Sequence, residues 1–128
     1  MKQIVLITAT VYGALSVILG ALGAHALKKV LTEAQLQSFE VGVKYQMYHA
    51  IVLLVLGLFL SFDTRLQQYI GWSYILGTFM FSFSIYFLSL QSTIGANLKF
   101  LGPITPLGGL LMIAGWVMLL VYFAKSFR

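Results

Sequence analysis

Cysteine is absent from the 128 residues. Its absence removes disulfides, thiolate nucleophiles and sulfur-ligated metal or iron–sulfur centres together, and it leaves the redox compartment unreadable. Charge is scarce as well: three acidic and eight basic side chains make up 9% of the chain, against roughly a quarter in a soluble domain. So few charges cannot cover a globule of this size. With 60% hydrophobic residues and a mean hydropathy of +0.95, most of the surface must face a medium as apolar as the core, and that medium is lipid. The shortage of carboxylates also argues against ordinary hydrolase chemistry. Glu33, Glu40 and Asp63 supply neither a Ser/His/Asp set nor a carboxylate pair, so no enzymatic activity is expected.

The charges that do occur are mostly basic, giving a formal net charge of +5. They are scattered as Lys2, Lys28, Lys29, Lys44, Arg65, Lys99, Lys125 and Arg128, with no continuous face for nucleic acid. They flank four long apolar runs, where Lys and Arg side chains reach toward anionic headgroups. The runs are Ile4–Leu27, Tyr45–Phe62, Ile70–Leu90 and Ile104–Ala124, and none of them contains Asp, Glu, Lys or Arg. A hydrocarbon core of about 30 Å needs about 20 apolar helical residues, and each run is close to that length. One mid-span charge costs about 2.5–3.5 kcal/mol. The sequence therefore predicts an all-α integral membrane bundle of four transmembrane helices in a single domain over residues 1–128. The first run follows Met1-Lys2 and ends on Ala24-His25-Ala26, which has the look of a signal-cleavage site, but its length favours a retained helix.

Between the first two runs, Thr32-Glu33-Ala34-Gln35 has the capping-box pattern, in which a Thr N-cap and a Gln three residues on satisfy two free N–H groups reciprocally. Leu36, Phe39 and Val43 follow at helical spacing, with Glu33, Gln37 and Glu40 on the other side. This pattern predicts a short interfacial amphipathic helix over about 32–44, lying on the membrane and running into span two. Asp63–Gln68 is expected to form a tight turn. Residues 95–103 are expected to form a loop, with Pro106 in the first turn of span four, where its missing N–H costs nothing. Short links imply antiparallel neighbours. Orientation is undetermined, because Lys and Arg divide four to four between the two sides.

Helices in lipid associate by close packing of small residues. Ala9, Gly13, Ser16, Gly20 and Ala24 make one small-residue face of span one; Ser73, Gly77 and Ser84 lie on span three, and Gly108, Gly109 and Gly115 on span four. Of these, Gly13, Ser16, Gly20, Ala24, Gly108 and Gly109 are the principal packing candidates. His25 and His49 are the only ionisable groups within the spans besides tyrosine, and intramembrane histidine is a functional candidate by default. Because their spans share one loop, both are expected toward the same membrane face, close enough to form one polar corner with Tyr45 and Lys44. Two histidines without a nearby carboxylate make a poor zinc site, so no metal and no cofactor are expected there. Span three carries a hydroxyl row, Thr78, Ser82, Tyr86 and Ser89, whose default use is bonding to backbone carbonyls or to a facing helix. Tyr12 and Trp116 are expected to face the bundle interior, and Tyr69, Trp72 and Tyr74 to form an aromatic belt.

Three segments together resemble the YgdD-type family of small membrane proteins: Gly20–Leu27 (GALGAHAL), Phe39–Ala50 (FEVGVKYQMYHA) and Leu101–Gly109 (LGPITPLGG), followed by Gly115-Trp116. The resemblance implies a bacterial inner-membrane protein of about four spans and uncharacterised function, with mitochondrial relatives, and it adds no catalytic residue. It places His25, His49, Gly23, Thr105, Pro106, Gly108 and Gly109 inside motifs; Ala26 departs from an expected glycine. The leading functional expectation is a non-enzymatic protein that binds membrane lipids or a larger membrane complex. The alternative is a small homo-oligomeric transporter or channel for a neutral or anionic solute. Proton-coupled cation export is disfavoured, because no carboxylate lies inside a span. A haem- or quinone-linked redox role ranks third.

Overall fold

A computed structural model describes residues 1–127. Among them the secondary structure is helical throughout: α1 (Lys2–Ala24), α2 (Glu33–Phe59), α3 (Arg65–Thr78), α4 (Ser84–Ile94) and α5 (Ile104–Ser126). A π-helical turn, Phe79–Phe83, joins α3 to α4 without a break, so that Arg65–Ile94 is one span. Four helical stretches are long and apolar enough to cross a membrane. Their lipid-facing sides carry exposed large apolar residues such as Val17, Leu58, Leu110 and Leu120.

The structure joins what the sequence divided. The capping box forms as expected, with the Thr32 N–H donating to Gln35 Oε1 at 2.9 Å and the Gln35 N–H donating to Thr32 Oγ1 at 3.2 Å. The helix it starts then runs uninterrupted to Phe59, so residues 32–44 are the first turns of span two. No proline lies between Thr32 and Leu60 to stop it. At 27 residues and about 1.5 Å per residue, α2 is about 40 Å long, enough to cross the hydrocarbon with its first turns in the headgroup region. The expected turn at 63–68 also shortens. Thr64 Oγ1 accepts the Gln67 N–H at 3.3 Å and starts α3 at Arg65. The residue that reverses the chain is Phe62, at φ 59°. This left-handed conformation is costly for an aromatic residue; Gln67 Oε1 on its N–H (2.7 Å) and Gln68 Nε2 on its carbonyl (3.1 Å) hold it in place.

In the bundle α1 packs along α2, α3 packs on α5, and α4 packs on α2; α1 and α5 make no close approach among the described residues. Lys2 Nζ donates to the carbonyls of Leu58 (3.3 Å) and Leu60 (3.0 Å). A cation thereby meets the negative end of α2 and its otherwise free acceptors. Two apolar clusters form the core. One runs from Val5 and Leu53 to Ile70 and Leu119, and the other gathers Leu31, Phe39 and Tyr86. A layer of buried polar side chains also lies inside the bundle: Ser16, Gln46, His49, Thr78 and Ser82.

The small-residue expectations divide. Gly108 and Gly77 mark the crossing of α5 and α3, where a Cβ on Gly108 would lie 2.8 Å from the Gly77 carbonyl oxygen and one on Gly77 would lie 2.9 Å from the Gly108 oxygen. Gly115 is covered by the Tyr74 ring, and Ser16 is buried with its hydroxyl on the Tyr12 carbonyl at 2.8 Å. Gly20 makes only an ordinary contact, with Val43 at 3.5 Å; Gly109 makes one with Phe81 at 3.7 Å. Gly13 has nothing within 4 Å, and Ala24 is exposed. The two drop out because the buried stripe of α1 runs Val5, Ala9, Tyr12, Ser16 and Gly23, rotated away from them. Gly42, Gly57 and Gly71, unremarked in the sequence, are close-approach positions against Tyr86, Leu6 and Met1.

Candidate functional site

A hydrogen-bond network occupies the centre of the bundle. The hydroxyl of Tyr12 donates to the Ile75 carbonyl at 2.7 Å. The Tyr12 carbonyl accepts from Gln46 Nε2 at 2.9 Å, and Gln46 Oε1 accepts the Tyr86 hydroxyl at 2.6 Å. Ser82 Oγ donates to the Gly42 carbonyl at 2.7 Å. These bonds tie α1, α2 and the third span together where water does not compete. The hydroxyl row of that span is therefore structural in part, with Ser82 and Tyr86 bonded to α2. Thr78 Oγ1 and Tyr74 Oη are buried without a partner. Tyr74, expected in an aromatic belt, is wholly buried, whereas Tyr69 and Trp72 are exposed.

His49 lies one turn along α2 from Gln46, facing α5. Its Nδ1 is 2.7 Å from the Tyr45 carbonyl and its Nε2 is 3.2 Å from Trp116 Nε1. A carbonyl only accepts and an indole N–H only donates, so this pair of neighbours selects the Nδ1–H tautomer, with Nε2 as acceptor. Nitrogen NMR of His49 in the reconstituted protein is accordingly expected to show a protonated Nδ1 and a bare Nε2; the opposite tautomer would contradict this geometry. The rings of Tyr45, Tyr74 and Trp116 surround the imidazole at centroid distances of 6.3, 5.5 and 6.1 Å.

The imidazole does not meet His25. Gln46 is level with Tyr12, and His25 lies 13 residues farther along α1, about 20 Å at the helical rise. His25 caps α1 and is exposed. Lys44 is exposed too and lines no cavity with His49. The polar corner expected from the sequence thus separates: Tyr45 and His49 come together, His25 and Lys44 do not join them. The cause is the early start of α2, which places His49 sixteen residues past Glu33 and deep in the membrane. Trp116, expected inside, is 49% exposed, with its N–H turned to His49 and its ring edge-on to Tyr74.

Tyr45, His49, Phe81, Met112, Ile113 and Trp116 line a groove of about 310 Å³ between α2 and α5, with Gly109 at its edge. The two helices do not pack closely here. The His49–Trp116 hydrogen bond bridges them and leaves the space above it open sideways, toward the lipid. Tyr45, 42% exposed, stands at its rim. Among the described residues no three His, Asp or Glu side chains converge, and both nitrogens of His49 are engaged, so the groove offers no ligand set for a metal and no free imidazole nitrogen for a haem iron. Trp116, Phe81 and Met112 were not singled out as neighbours of His49 by their spacing in the sequence. A lone Gln46 within an otherwise apolar run was the available signal for the central network.

Four long apolar helices around a buried polar centre define a multi-pass integral membrane protein. The chain belongs to the DUF423 family of proteins of unknown function, which matches residues 19–109. It is 40% identical over 107 residues to a UPF0382 membrane protein of Staphylococcus haemolyticus, covering 84% of each chain. It is 35% identical over 123 residues to the UPF0382 inner membrane protein YgdD of Escherichia coli K12, covering 94% of this chain and 88% of that one. The family and the four spans place it in the cell membrane. No solved structure matches it.

Proposed function

We propose that the protein is a non-enzymatic membrane binding protein that takes up an amphiphile dissolved in the bilayer, laterally, in the groove between α2 and α5. The observation that carries this reading is the groove itself: an apolar, aromatic-lined recess at depth in the membrane with one polar element on its floor, the His49–Trp116 pair. Binding sites for small molecules commonly combine a mostly apolar lining with a few placed polar groups. The ligand that fits is a largely hydrocarbon molecule with a single hydrogen-bonding group, which would exchange with the Trp116 N–H or the His49 Nε2. The acidic side chains Glu33, Glu40 and Asp63 all lie outside the groove, which supports binding without acid–base chemistry.

Gly109 provides the test, because it lines the groove and a Cβ added there meets only the Phe81 ring, at 3.7 Å, so that a larger side chain starts from open space. Protein purified in gentle detergent from its own membrane is expected to carry a defined apolar compound, detected by mass spectrometry of the extract, and Gly109→Leu is expected to lose it about ten-fold or more. Identical extracts from the two proteins would overturn the reading.

A further inference from the structure

A second recess is larger than the groove at His49. It lies at the end of the bundle where α2 and α5 begin, has a volume of about 490 Å³, and is lined by Gln35 and Ser38 of α2, Ser89 of α4, and Gly102, Thr105 and Pro106 at the start of α5. Three observations meet there. First, α5 has no side-chain cap. Among the described residues the N–H groups of Ile104 and Thr105 find no acceptor and Pro106 has no N–H to be capped, whereas the third N–H of α2 and of α3 is capped by Thr32 and Thr64. Free N–H groups at the positive end of a 23-residue helix favour an anionic oxygen. Second, Ser89 is only 5% exposed and its hydroxyl makes no hydrogen bond to the protein, yet it lines this recess. A hydroxyl on so buried a residue, unpaired within the chain and opening on the recess, is available to a partner from outside. Third, no charged side chain lines the recess, so no carboxylate opposes an anion there; Glu33 and Glu40 line a separate cleft with Lys28.

Ser38 adds a second hydroxyl with no protein partner. Gln35 is held across the mouth by its bond from Nε2 to Ser92 Oγ at 3.1 Å, and Thr105 Oγ1 is anchored against Ser84 Oγ. We propose that this recess is a phosphate-binding site, in which the α5 N-terminus and the hydroxyls of Ser38 and Ser89 hold the phosphate oxygens. It stands at the headgroup level of the bundle, so the group could arrive on a phospholipid or as free phosphate. The site is independent of the groove at His49.

The test is native mass spectrometry of the full chain in detergent, with phosphatidylglycerol, diacylglycerol of the same acyl chains and inorganic phosphate as probes. Phosphatidylglycerol is expected to bind about ten-fold more tightly than diacylglycerol, and Ser89→Ala to remove most of that preference, as loss of a charge-assisted hydrogen bond should. Should Ser89→Ala fail to fold, Ser38→Ala, on an exposed residue, carries the same expectation with a smaller loss. Displacement of phosphatidylglycerol by millimolar inorganic phosphate would support the site with free phosphate as its source; phosphatidylglycerol preference without such displacement would support it with the lipid as its source. Equal binding of the two lipids, or a preference unchanged in both variants, overturns the proposal. Gly109→Leu should leave this preference intact, which separates the outcome from that of the groove.

Discussion

Replacing Gly108 with alanine is expected to destabilise the bundle by about 3 kcal/mol, the upper part of the range for forcing atoms into a packed interior. The added methyl would lie 2.8 Å from the Gly77 carbonyl oxygen and 2.9 Å from the Met80 carbonyl carbon, and nearer still to the Phe81 backbone nitrogen. All three are main-chain atoms, which cannot swing aside as a side-chain end can, so α3 and α5 would have to move apart along their crossing. In lipid no hydrophobic effect between helices compensates for lost contact, because the surrounding acyl chains are equally apolar. The neighbouring Gly109→Ala is the internal control: its methyl would sit 3.7 Å from the Phe81 ring, and a change below about 0.5 kcal/mol is expected. Denaturation by SDS, followed by tryptophan fluorescence, measures both. Equal stability of the Gly108 variant and the native protein would mean that the two helices do not cross at this point.

Gln46→Leu is expected to cost about 2 kcal/mol, chiefly because it leaves the Tyr86 hydroxyl buried without an acceptor. The Tyr12 carbonyl suffers less, since Ser16 Oγ still donates to it at 2.8 Å. The pairing can be isolated by a double-mutant cycle. Tyr86→Phe alone strands Gln46 Oε1, Gln46→Leu alone strands the hydroxyl, and the combined variant strands neither. The double variant should therefore be more stable than the sum of the singles by about 1 kcal/mol, within the range found for side-chain hydrogen bonds in membranes. Strict additivity in the same SDS titration would show that the two side chains do not share a bond.

The parts of this architecture that were legible in the sequence are those written locally. Charge-free runs located the four spans, and Thr32 with Gln35 marked a helix start that forms with both reciprocal bonds. His49 stood out because an imidazole inside an apolar run is rare. Its depth was misjudged because Lys44 suggested that the membrane portion began at Tyr45; a lysine's aliphatic stem lets its charge reach the headgroups from within the span, so α2 had already crossed much of its length. Other features depend on how helices meet. Gly42 and Gly57 differ in no local way from Gly13, yet the first two receive Tyr86 and Leu6 and the third faces open space. The partnership of His49 with Trp116, 67 residues away, follows from the placing of α5 beside α3. Nothing in Phe79–Phe83 announces a π turn.

That turn lets one span serve two neighbours. Residues four apart in an α-helix drift by about 40° per step, so Tyr74, Thr78, Ser82 and Tyr86 would fan across about 120°, yet all four are buried. The residue taken in by the wider turn at Phe79–Phe83 resets the angle. The stretch before it keeps its phase toward α5, and the stretch after it adopts a new phase toward α2. The third span is thus a spliced element, with the length of its joint acting as an angular setting: removing one residue there would turn everything from Ser84 to Ile94 by about 100° relative to α3, carrying Tyr86 away from Gln46 and Ser89 out of its recess while leaving the composition of the span almost unchanged.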